Sequence, residues 1–140
     1  MPLDRTRHLL CSAAAGCVWG GVAWLLAHRH LGPIVWGGVL ASPAIGLVIG
    51  ALFAPIHALR PVPRALLALV SLYAAATLFG LCCGLYDSLR PISGRIPQAL
   101  VWQAVLGVWW GMTFTGYVVL LWPLAVVTHR AVGRAASPPA

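Results

Sequence analysis

The 140-residue chain contains no lysine and no glutamate, and its only acidic side chains are Asp4 and Asp87. Acid–base chemistry therefore has little to work with, and no catalytic residue is assigned. Charge of both signs makes up only 8% of the chain, where a soluble domain carries about 25%. The net charge is nonetheless +7, because the basic residues are all arginine and nearly unopposed. These arginines stand singly or in pairs between apolar runs, as membrane-flanking charges do, rather than in a patch that tracks phosphates. A nucleic-acid partner is excluded on that pattern.

Apolar residues are what the chain has in abundance, at 61%. A water-soluble body this small has too much surface for its volume to hide them. The composition is that of an all-α integral membrane protein, with the lipid bilayer as its first partner. A spanning helix needs about 20 mostly apolar residues, and four runs supply them: 9–27, 34–59, 65–86 and 98–128. The expected fold is a single four-helix transmembrane domain over residues 1–140. The fourth run is too long to lie straight and should tilt or project. The connections at 28–33, 60–64 and 87–97 each hold charge and proline, which suits short turns between antiparallel helices.

Arginine placement orients the bundle. Arg5, Arg7, Arg60, Arg64, Arg130 and Arg134 fall on one side of a four-span arrangement, and Arg29, Arg90 and Arg95 on the other. The arginine-rich side stays in the cytoplasm, so both termini are expected there, with the cell membrane, a bacterial inner membrane, as the location. Trp24, Trp36, Tyr86 and Trp102 fall near the outer helix ends and Trp122 toward the inner side, as an interfacial belt requires. The segment Ala14-Ala15-Gly16-Cys17 resembles a bacterial lipoprotein signal. The apolar stretch before Cys17 is too short for one, and the run continues as a span.

Small residues recur every fourth position on each run: Ser12, Gly16 and Gly20; Ser42, Gly46 and Gly50; Ala76, Gly80 and Gly84; Gly107, Gly111 and Thr115. Residues four apart share a helix face, and in lipid such faces let backbones approach and gain dispersion contacts. Helix packing is therefore assigned to Gly16, Gly20, Gly46, Gly50, Gly80, Gly84, Gly107 and Gly111. Gln103, on the small-residue face of the last run, is expected to hydrogen-bond to a neighbouring helix, and Leu47 and Val108 to face lipid. Pro43 should kink or break the second helix, and broken helices line some transport sites.

The histidines and cysteines sort by depth. His8, His57 and His129 fall at the inner edge and are candidate ligand or cofactor contacts together with Pro43. Cys11 and Cys17 lie in the inner half of the first run, whereas Cys82 and Cys83 lie near the outer surface. The four thiols are too far apart for one metal site, and buried cysteine serves as a small apolar filler. No cofactor is expected; a haem or metal on the inner histidines is the alternative. The first functional reading is a non-catalytic accessory or assembly subunit of a membrane complex, or a homo-oligomer. It rests on the glycine faces, the absence of charge inside the spans and the short loops. A small solute or ion transporter or channel is the second reading, and a haem- or metal-binding electron carrier the third.

Overall fold

The computed structural model describes residues 4–89 and 97–137, and it is all-helical. Five α-helices follow one another: α1 Arg5–Leu31, α2 Val35–Leu52, α3 Pro61–Leu89, α4 Pro97–Phe114 and α5 Tyr117–Ala135. Short 3₁₀ turns occupy Gly32–Ile34 and Ala54–Ala58. Among the described residues three helical stretches, Arg5–Leu52, Pro61–Leu89 and Tyr117–Ala135, are long and apolar enough to cross a membrane. Arg90, Arg95 and the side chain of Gln103 lie outside the described residues.

Asp4 starts α1 by accepting hydrogen bonds from the Thr6 and Arg7 amides at 3.0 and 3.2 Å. An anionic N-cap satisfies amides that have no intrahelical partner and favours the positive end of the helix dipole. Gly32, at φ 56°, ends the helix, and Pro33 starts the turn that sends α2 back along α1. The two helices then meet through their small residues in antiparallel register: Ser12 faces Gly50, Gly16 faces Gly46, and Gly20 faces Ser42. A Cβ on Gly16 would lie 3.0 Å from the Gly46 Cα. The backbones touch, and dispersion between them holds the hairpin.

Pro43 does not break α2, which is helical from Val35 to Leu52. Proline leaves the carbonyl four residues earlier without its amide donor, here that of Val39. The Ser42 hydroxyl donates to this carbonyl at 2.7 Å, so the helix carries through with the acceptor satisfied.

Packed against α2, α4 and α5, α3 forms the centre of the bundle. Gly37 lies against Cys82 and Tyr86, Gly38 against the Phe79 ring, and Gly80 against the Val105 backbone. The Cys83 thiol donates toward the Val35 carbonyl at 3.9 Å. Beside α3, α4 runs antiparallel, with Trp109 Nε1 donating to Thr77 Oγ1 at 3.0 Å and Tyr73 Oη 3.1 Å from Thr113 Oγ1.

The fourth apolar run is not one helix. It stops at Phe114 and restarts at Tyr117 after Gly116, whose φ of 74° no α-helix continues through. The contacts of α5 with α3 advance in the same sense along both helices: Trp122 Nε1 donates to the Ala65 carbonyl at 2.7 Å, and His129 meets Ser71. The contacts of α4 advance in opposite senses. The glycine turn thus redirects the chain across the lower half of α3.

Two apolar clusters make the core, one around Ile56, Ala68, Leu72 and Met112, the other around Val35, Phe79 and Cys83. Val108 packs against both, so it is not lipid-facing, whereas Leu47 is partly exposed. At one end of the bundle the Asp4 amide donates to the Ala136 carbonyl at 3.2 Å, joining the start of α1 to the end of α5. At the opposite end Trp24 stacks on His28 at 4.6 Å and lies 6.3 Å from Trp36.

Candidate functional site

The arginine-rich end brings together three histidines that are far apart in sequence. His8 comes from the second turn of α1, His57 from the 3₁₀ turn after α2, and His129 from the last third of α5. The His8 and His57 rings meet edge to face with centroids 5.1 Å apart, and those of His57 and His129 are 6.3 Å apart. Gly133, one turn beyond His129, is the seat of the middle ring: a Cβ there would come 2.6 Å from His57 Nδ1.

Hydrogen bonds fix two of the rings. His8 Nε2 lies 3.0 Å from the Gly50 carbonyl, and since a carbonyl only accepts, that nitrogen carries the proton. It thereby satisfies one of the last carbonyls of α2. His129 Nε2 lies 2.8 Å from Ser71 Oγ, whose hydroxyl donates to the Ala68 carbonyl at 2.8 Å. A hydroxyl has one proton, so His129 Nε2–H is the donor to Ser71. His57 has no such anchor. Burial first, then the neighbouring His8 and Arg64, lower its pKa from 6.5, which leaves the ring neutral at pH 7.

A small cavity of about 100 Å³ lies among these residues, lined on its polar side by His8, Ser12, Ser42, His57, Ser71 and His129. Below it opens a wide recess of about 700 Å³ walled by Arg64, Arg130, Arg134 and Ser137. His57 lines both. Arg64 NH2 donates to the His57 and Leu59 carbonyls at 3.2 and 2.7 Å, holding the turn that carries the ring. The buried His8 Nδ1, His57 Nε2 and Arg64 Nε have no hydrogen-bond partner.

Of the candidate contacts, the fold gathers His8, His57 and His129; Pro43 is absent from the walls of both cavities. The cluster does not fit a haem. The Nε2 atoms of His8 and His129 are already engaged, and the cavity is well below the roughly 300–1,000 Å³ of sites for drug-sized ligands. Among the described residues no group of three or more His, Cys, Asp or Glu could hold a metal ion. From sequence the recess arginines serve only to orient the bundle, and Gly133 carries no assignment. A signal was present in the spacing of His129, Arg130, Gly133 and Arg134, since residues four apart on a helix share a face.

The packing glycines divide into two groups. Gly16, Gly20, Gly46, Gly50 and Gly80 sit at helix contacts, and Gly84 is buried in α3. A Cβ on Gly107 or Gly111 of α4 would meet nothing within 4 Å among the described residues. They line an apolar groove of about 370 Å³ with Ala23 and Leu26 of α1, Phe79 of α3 and Met112 of α4. Thus α4 does not use its glycine face against α2, which packs on α1 and α3. The chain matches no protein-family model, no curated protein and no solved structure.

Proposed function

We propose that this protein is a non-catalytic assembly subunit of the cell membrane, a bacterial inner-membrane protein of four spans, with both termini in the cytoplasm. In this reading α4 begins the fourth span and α5, turned across α3, ends it at the arginine-rich end. The groove between α1 and α4 receives a transmembrane helix of a partner subunit.

The open glycine face of α4 carries this reading. Helices in lipid associate through close backbone approach at small residues, because no hydrophobic effect drives them together there. The other described packing glycines are consumed inside the bundle or buried, whereas Gly107 and Gly111 line an apolar groove. Exposed Leu106 and Trp110 on the same helix add apolar surface. The arginines gathered at the end where Asp4 meets Ala136 support the orientation.

The test is a photo-crosslinking residue placed at Gly111 in native membranes. A discrete adduct with one membrane protein, abolished by Gly107→Leu, is the expected result. An adduct with a second copy would identify a homo-oligomer instead. Adducts with lipid alone would overturn the proposal.

A further inference from the structure

The recess at the arginine-rich end is more than a stretch of flanking charge. Its cations come from two helices: Arg64 in the first turn of α3, and Arg130 and Arg134 one turn apart on α5. The fold places them around one concavity, with no carboxylate among the residues that line it. Asp4 is engaged elsewhere, capping α1 and pairing with Arg7 at 3.4 Å. Asp87 lies in the last turn of α3, at the far end of that helix.

Two observations set this apart from a basic surface patch. The first is an unsatisfied donor. Arg64 spends one terminal nitrogen on the backbone of the preceding turn, while its Nε–H is buried with no partner among the described residues. His57 Nε2, at the boundary between the recess and the inner cavity, is buried without a partner as well. A buried N–H left without an acceptor costs free energy, so the site calls for one. The second is preorganisation: Gly133 seats the His57 ring, and Arg64 holds the turn beneath it. Guanidinium groups present planar paired donors that match phosphate oxygens, and basic pockets between helices on the cytoplasmic side suit lipid head groups.

We infer that the recess bounded by Arg64, Arg130, Arg134 and His57 is a binding site for a phosphate group, contributed by an anionic phospholipid head group. The lipid source is favoured by position. Trp122, an interfacial residue type, bonds the Ala65 carbonyl next to Arg64. The inference is independent of what fills the groove beside α4.

The experiment is native mass spectrometry of the purified chain titrated with phosphatidylglycerol or phosphatidylcholine, alongside thermal unfolding with inorganic phosphate or chloride. Phosphatidylglycerol should bind in preference to phosphatidylcholine. Joint replacement Arg130→Gln and Arg134→Gln, on exposed positions that leave the Arg64 bonds intact, should weaken it roughly 30-fold, two surface charges being removed. Arg5→Gln, at the same end but outside the recess, and Arg29→Gln, at the other end, should each leave it unchanged. Stabilisation by inorganic phosphate that the double variant abolishes, without a phosphatidylglycerol preference, would support the phosphate site but overturn its lipid source. Equal binding of the two lipids with no phosphate effect, or an equal loss in Arg5→Gln, would overturn the site altogether.

Discussion

Gly16 and Gly46 meet backbone to backbone, so that a Cβ on Gly46 would lie 2.9 Å from the Gly16 Cα. The contact is the midpoint of a register in which Ser12 and Gly50 close one side and Gly20 and Ser42 the other. Its existence depends on the absence of side-chain volume at both positions. That dependence separates the glycines of this chain into two experimental classes.

Gly16→Leu and Gly46→Leu should destabilise the folded chain by more than the roughly 1–3 kcal/mol usual for overpacking, because the atoms in the way are backbone. Gly107→Leu and Gly111→Leu should leave folding intact, their Cβ positions being open. Helicity and elution volume during titration with a denaturing detergent would show it. Similar unfolding of all four variants would mean that the two classes do not exist.

Ser42→Ala should cost about 1 kcal/mol, the net contribution of a typical hydrogen bond, because the Val39 carbonyl loses its donor. In a Pro43→Ala background residue 43 regains an amide that can bond Val39, and the same Ser42→Ala change should then cost much less. A double-mutant cycle on unfolding free energy measures the difference. Additive effects would show that the hydroxyl does not compensate for the proline.

Gly116→Ala should destabilise the junction of α4 and α5 by roughly 1–3 kcal/mol, since a side chain at φ 74° is strained. Gly116→Asn should cost less, asparagine tolerating the left-handed region better. Hydrogen exchange along α5 would report the loss of its docking through Trp122 and His129. Unchanged protection in Gly116→Ala would show that the turn does not set the path of α5.

Stability should fall as the pH drops below 6.5. The His57 pKa is lowered from that value by burial, then by His8 and Arg64; His129 faces it from α5 with ring centroids 6.3 Å apart. Over this window the unfolded chain takes up a proton that the folded chain resists, which favours unfolding. The loss ends once the pH passes below the folded-state pKa. His57→Gln should reduce the slope of unfolding midpoint against pH between 7.5 and 5.5, a window of about one unit either side of the ordinary histidine pKa. An unaltered slope would mean that another group titrates.

Reporter fusions after Ala140 and within the connection around His30 should report opposite compartments, with the Ala140 fusion cytoplasmic. The Asp4–Ala136 bond ties Asp4 and Ala136 to one end of the bundle, the end that the proposed orientation puts inside. Both reporters on one side would overturn the four-span orientation.

Composition and periodicity were enough for the helical class, for three stretches apolar enough to cross a membrane and for the placement of small residues four apart, because apolar content and helix geometry are local properties of the chain. They also placed His8, His57 and His129 at one depth, since depth follows from distance to a helix end. Tertiary structure alone decided which glycine faces are filled. Gly46 meets Gly16 because the Gly32 turn folds α2 onto α1, whereas Gly107, on an equally regular face, meets open space. It also decided that the fourth run breaks at Gly116, where a positive φ redirects α5 across α3. That crossing seats His57 on Gly133 and sets Arg130 and Arg134 opposite Arg64. Spacing along one helix cannot specify which other helix it will face, because that depends on the path of every turn between them.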